Sequence, residues 1–190
     1  GRAAADIVAE VIPAVMAKFP WPKAQRWGTG AFTWVRPIQS IVCLLGGRLV
    51  PFEVAGIASG NVTRGHRFHG NGHITLDRPQ DYESALFDAK VVACFEQRQQ
   101  IIRQQVEAQA SALGATAVID SELLDEVTGL VEWPVALTGS FEARFLQVPP
   151  EALISSMREH QKYFHVVDAE GTLKPHFITV ANIESIDPQQ

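Results

Sequence analysis

The sequence predicts an α+β fold: a mixed or mainly antiparallel sheet with hairpins and packed helices. Three observations lead there. Apolar residues recur at three- and four-residue steps in several separate stretches, as on helices with one buried face. Two runs rich in β-branched and aromatic residues fold back around short turns, at Gly46 with Gly47 and at Ala169 to Gly171, which specifies antiparallel hairpins. Strands and helices are interspersed, yet the hairpins point to antiparallel pairing and so to α+β rather than a doubly wound parallel sheet. With 190 residues, 46% of them hydrophobic and 19% charged, the chain has enough apolar side chain for a real core, and disorder is excluded. No repeat and no long Pro, Gly or Ser linker interrupts it, so residues 1–190 read as one unit, with a subdivision near 114–120 as the alternative.

Taken in order, Ile7, Val8, Val11, Ile12, Val15, Met16 and Phe19 form the stripe of an amphipathic helix laid on a core. Pro13 interrupts this stripe by removing a donor and crowding the preceding turn, so a kink or two short helices are expected. Pro20 and Pro22 end it. Ile41 to Leu45 and Arg48 to Val54 form two strands around Gly46 and Gly47, which tolerate the positive φ of a tight turn. Gly56 through Gly72 reads as a glycine-rich loop, followed by a short strand at His73 to Leu76. Asp77 and Pro79 open a helix over Tyr82 to Ala89, as cap and first-turn residue respectively. A longer helix runs from about Cys94 to Leu113 and stops at Gly114; Arg98, Ile102, Val106 and Ala110 follow at four-residue steps, with Phe95 and Leu113 also on the apolar side. Ala117 to Ile119 is a short strand, Ser121 caps a helix over Glu122 to Glu132, and the chain is extended again from Trp133 to Leu137. Pro149 and Pro150 open a helix to about Gln161. Tyr163 to Val167 and Pro175 to Ile183 make the second hairpin.

Composition narrows the setting. A net charge of −5 argues against a protein coated in positive charge, although local patches remain open. Cys43 and Cys94 are the only cysteines, too few for a disulfide framework or a four-cysteine zinc site. No apolar run approaches a membrane span, and Asp6, Glu10 and Pro13 break any signal-peptide core. A cytoplasmic protein without membrane contact is expected. The chain opens at Gly1 and Arg2, directly before a helical pattern, as a piece of something longer would.

The familiar catalytic signatures are absent: there is no Walker loop, dinucleotide fingerprint, nucleophile elbow or His-Glu-x-x-His helix. Ser59 and Ser140 lie beside glycines without a base and orienter set. The densest chemical cluster is Arg64, His66, Arg67, His69 and His73, in a stretch with no acidic residue between Glu53 and Asp77. Two arginines in a glycine-rich loop suit phosphate oxygens, because the guanidinium fork binds them and glycine lets the backbone approach. A metal site on His66, His69 and His73 is a weaker reading, since those spacings converge only on a helix and the glycines oppose one. A solvated basic loop without a partner is the third. Arg158, His160 and Lys162 form a second basic group near a helix end, where cations complement the helix dipole. Trp21, Trp27, Trp34 and Trp133 read as core or interface residues before base-stacking ones, and Cys43 as a small buried hydrophobe.

The phrases "RPIQSIVCLLGG", "PFEVAGIASGNVTRGHRFHG", "LLDEVTGLVEWPVALTGSFEARFL", "PPEALISSMREHQKYFHVVD" and "FITVANIES" carry more than residue types. In this order they resemble the beta subunit of the bacterial heterotetrameric glycyl-tRNA synthetase, over nearly the whole chain from Ala24 to Pro188. Gln25 and Ser40 depart from the family's pattern as packing differences. The resemblance implies a fragment of the N-terminal half of that subunit, partly akin to the B3/B4-type domain of phenylalanyl-tRNA synthetase. It implies an accessory part of a ligase that joins glycine to tRNA with ATP, whose partners are the alpha subunit, a second beta subunit and tRNA. The aminoacylation core is implied on alpha, so no catalytic residue, cofactor site or metal is expected in this fragment, and the sequence offers no nucleophile set for editing. The tRNA-contact candidates are then Arg64, His66, Arg67, His69, Arg158, His160 and Lys162, with a purely structural interface module, or a metal-dependent hydrolase built on His66, His69 and His73, as the alternatives.

Overall fold

Two units make up the chain, Gly1–Ala89 and Lys90–Gln190, and the computed structural model describes residues 1–70 and 72–182. The class is α+β, with several small, mostly antiparallel sheets and five α-helices among the described residues. The division falls after Ala89. The 114–120 stretch, proposed above as a subdivision, lies inside the second unit, because its strand pairs with that unit's sheet.

The first unit begins with α1 (Ala4–Ala17), which continues unbroken through Pro13 instead of splitting in two. No residue of α1 is buried; Ile7, Val11, Ile12 and Val15 are 37% to 51% exposed, so the stripe does not lie on a core as expected. Next, β1 (Gln25–Arg26) pairs with β2 (Thr33–Trp34). β3 (Ile41–Val42) leads to β4 (Leu44–Leu45) and β5 (Arg48–Leu49), which form the expected hairpin around Gly46, at φ +61°. β6 (Glu53–Val54) and β7 (Ile57–Gly60) form a second tight hairpin, where the sequence suggested loop. Its turn residues Ala55 and Gly56 have φ +54° and +78°, the paired positive values of a type I′ turn. β3 lies parallel to β7, which makes the sheet mixed. Ser59 bridges this region: its hydroxyl donates to the Val50 carbonyl at 2.7 Å and accepts from the Phe52 amide at 2.9 Å, which engages it structurally. β8 (Val62–Arg64) pairs antiparallel with β9 (His73–Thr75), and α2 (Tyr82–Asp88) follows a short 3₁₀ turn at Pro79–Asp81. Asp77 does not cap it. Val50, Val54, Leu76, Leu86 and Ala89 are buried in this unit.

The second unit is organised by α3 (Phe95–Ala112), whose Ile102, Val106 and Ala110 are fully buried, as their four-residue spacing predicts. β10 (Thr116–Ala117) starts one residue earlier than expected. The cap of α4 (Ser121–Leu130) is Asp120 and not Ser121: the Asp120 carboxylate accepts the Leu123 amide at 2.9 Å. β11 (Val135–Ser140), α5 (Pro150–Ser156), β12 (Phe164–Val167) and β13 (Leu173–Ala181) complete it. The strands form an antiparallel sheet in the order β10-β12-β13-β11. The predicted strand end at Ile183 lies outside the described residues. Ile102 and Val106 meet Leu123, Leu124, Val127, Phe164, Val166 and Ile178 in one core, each such side chain contributing about 1.5 to 3 kcal/mol of burial. Among the described residues, no helix is long and apolar enough to cross a membrane.

Candidate nucleic-acid interface

The first basic cluster is the tip of a hairpin and not an unstructured loop. Arg64 and His73 are the last paired residues of β8 and β9, and the chain between them turns back within the first unit. His66 organises that turn. It is only 4% exposed; its amide donates to the Ala89 carbonyl at 2.8 Å, and its carbonyl accepts the Gly70 amide at 2.7 Å. Its ring nitrogen Nδ1 accepts the amides of Phe68 at 3.2 Å and His69 at 3.4 Å. The glycines are required by close approach: a Cβ on Gly70 would sit 2.6 Å from the His66 backbone N and O, and one on Gly65 2.4 Å from the Ala89 Cβ.

With the tip pinned from inside, its outer surface is cationic and aromatic. Arg64, Arg67 and His73 are exposed and His69 is half-buried. The Arg67 guanidinium lies 5.3 Å from the centroid of Phe68, a ring that is 70% exposed. Sequence reasoning passed over Phe68. The available signal was a lone aromatic among Gly, His and Arg, with no apolar neighbour at helical or strand spacing to bury it. The three histidines do not gather around a common point: His66 faces inward, and among the described residues no group of three or more His, Cys, Asp or Glu is placed to hold a metal ion.

The second basic group belongs to the second unit and is differently placed. Met157–Gln161 form a π-helical turn after α5, and Lys162 ends it in the left-handed region at φ +59°. Arg158 reaches Asp120 at 3.2 Å and Glu122 at 3.0 Å, and Lys162 reaches Glu126 at 2.8 Å, all three acids at or on α4. These cations are paired within the fold, around a shallow cavity of about 320 Å³. His160 is exposed.

A further cavity of about 540 Å³ in the first unit is lined by Ser40, Val42, Cys43, Leu44, Thr63, Leu76, Pro79 and Tyr82. Burial pushes the Cys43 thiol up, which makes it a poorer nucleophile at neutral pH.

Charge is unevenly spread. Residues 11–76 hold seven Lys and Arg against the single acid Glu53, in a chain whose net charge is −5. That segment is locally basic, although the first unit as a whole holds nine Lys and Arg against seven Asp and Glu.

Comparison with known proteins gives one consistent result. The family described as glycyl-tRNA synthetase beta subunit matches residues 1–190. Glycine–tRNA ligase beta subunits from Chromohalobacter salexigens and Hahella chejuensis are 53% and 50% identical, each aligned over 100% of this chain and 28% of the relative. The corresponding subunit from Paracoccus denitrificans is 48% identical, over 98% of this chain. The chain thus spans about 28% of the length of these relatives.

Proposed function

The chain belongs to the glycyl-tRNA synthetase beta-subunit family, and on that premise we propose that it is an accessory part of glycine–tRNA ligase that supports tRNA binding and subunit architecture. The complete enzyme joins glycine to tRNA at the expense of ATP in the cytoplasm. Its partners are the alpha subunit, a second beta subunit and tRNA. This part contributes no aminoacylation centre, cofactor site or metal of its own.

One observation carries the reading: the β8–β9 tip presents Arg64 and Arg67 outward on a turn that His66 braces from within. A braced turn holds guanidinium forks without the entropic cost of ordering a free loop on binding. His69, half-buried at the same tip, can add a hydrogen bond to phosphate. Arg158 and Lys162 contribute less to such a surface, because a phosphate must compete with Asp120, Glu122 and Glu126 for them. The test is an Arg64→Glu, Arg67→Glu variant of the full-length protein, assembled and titrated with tRNA at two salt concentrations. Binding should weaken and its salt slope should flatten, since fewer counterions are released. Unchanged affinity and slope would remove the tip from the interface.

A second role is favoured by α1, whose exposed Ile7, Val11 and Val15 lie at four-residue steps along one face. A surface of that kind suits contact with the rest of the synthetase, and it coexists with RNA binding at the tip.

A further inference from the structure

Five aromatic rings join in an unbroken series between residues 19 and 34. Phe19 lies 4.6 Å from Trp21 and 5.6 Å from Trp34; Trp21 meets Trp34 edge-on at 5.0 Å; Phe32 stacks on Trp34 at 6.0 Å and meets Trp27 edge-on at 6.0 Å. The β1–β2 pair sets this spacing, and Gly28, at φ +60°, lies in the turn between the two strands. A well-buried ladder would be a small core. This one is not: Phe19 is 47% exposed and the four other rings are only half-buried.

The charges around it are one-sided. Lys18, Lys23, Arg26 and Arg36 are all exposed, and the sequence holds no acid between Glu10 and Glu53. Among the described residues none of these four has a carboxylate within ion-pair distance, unlike Arg158 and Lys162. The Trp21 indole N–H is a buried donor without an acceptor among the described residues, a state that folded proteins rarely leave uncompensated. A Cβ added at Gly28 or Gly30 would meet nothing within 4 Å, so the backbone beside the ladder is open to close approach.

We infer that the Phe19–Trp34 ladder with Lys18, Lys23, Arg26 and Arg36 is a platform for unpaired nucleotides of RNA. Aromatic rings alone would suit a protein partner equally well. Four unpaired cations without a neighbouring acid select a polyanion instead, and rings beside a phosphate-binding track are the combination by which single strands are held. Duplex RNA hides its base faces in its own stack, so the ladder discriminates for unpaired segments. The inference rests on the reading that this chain meets tRNA, and adds a second contact in a different segment from the β8–β9 tip.

The experiment uses full-length protein, an eight-nucleotide single-stranded RNA and a duplex of the same length, read by tryptophan emission. The single strand should quench emission and bind more weakly as salt rises; the duplex should do neither at the same concentration. Trp34→Ala should weaken single-strand binding by about 5- to 100-fold, and Trp34→Phe should restore most of it. Because Trp34→Ala can disturb the β1–β2 pair, a Lys23→Glu, Arg26→Glu variant serves as the second probe: both side chains are exposed, and the variant should lower affinity and salt slope together. Absence of quenching, or quenching indifferent to both variants, overturns the inference. So does loss of subunit assembly in the ladder variants with single-strand binding intact, which would assign the ladder to a protein partner. The two readings fail separately: tRNA binding that ignores Arg64→Glu, Arg67→Glu while the single strand still quenches refutes the tip, and the reverse pattern refutes the ladder.

Discussion

His66→Ala tests whether the β8–β9 tip acts through its shape as well as its charge. The substitution removes no cation that faces solvent. It leaves the Phe68 and His69 amides without the Nδ1 acceptor they share at 3.2 and 3.4 Å, and it empties a position that is 4% exposed. Each lost hydrogen bond costs about 0.5 to 1.5 kcal/mol. The vacated side-chain volume adds a comparable or larger amount, so the local opening energy of the tip should fall by about 2 to 4 kcal/mol. Amide hydrogen exchange in the full-length protein reads this directly: protection at Phe68 and His69 should drop by about 30-fold or more, with the α3 amides unaffected. tRNA affinity should fall with it, because Arg64 and Arg67 must then be ordered at the moment of binding. Exchange at Phe68 and His69 indistinguishable from that of the unaltered protein would refute the bracing role of His66. Faster exchange with undiminished tRNA affinity would refute the claim that the braced shape matters to binding.

Three further outcomes follow from the second unit and from packing. Ile102→Ala, at a fully buried position of α3, should destabilise the protein by about 2 to 5 kcal/mol in urea denaturation. Arg98 donates to the Thr128 carbonyl at 2.9 Å and to the Val92 carbonyl, so Arg98→Met should cost about 1 to 3 kcal/mol although it keeps most of the aliphatic stem; a loss below about 0.5 kcal/mol would show that the guanidinium bonds contribute nothing net. Burial lowers the His165 pKa below the ordinary 6.5, so the unfolded chain binds the proton more readily and stability falls as pH drops through and below about 6.5. His165→Gln should flatten that acid-side decline in melting temperature between pH 7.5 and about 5, and an unchanged slope would assign the decline to other groups.

Much of the architecture was legible because it is encoded locally. The α+β class, the long helix around Ile102, Val106 and Ala110, the proline-opened α5 and the hairpins at Gly46 and at Ala169 to Gly171 all follow from periodicity and turn chemistry within a few residues. The Arg64 to His73 cluster was visible as well, as cations without acids, and the family phrases identified the family that the whole-chain match supports. Even there, the β6–β7 turn was missed: Ala55 has no sequence preference for the positive φ it adopts, and pairing of Glu53 and Val54 with Ile57 and Ala58 imposes it.

Only the tertiary structure decided which groups meet. Arg158 and Lys162 looked like free cations at a helix end until α4 brought Asp120, Glu122 and Glu126 to them, residues more than 30 positions away in the chain. His66 read as a candidate tRNA contact in the loop, and only the fold shows two backbone amides closed on its ring and the residue buried. The stripe of α1 predicted a core contact, yet periodicity reports only that a helix has an apolar face and not what lies against it. Hydrogen-bonding capacity, charge and hydrophobicity belong to the residue, and the sequence states them. Burial, pairing and exposure belong to pairs of distant segments, and they exist only once the chain has folded.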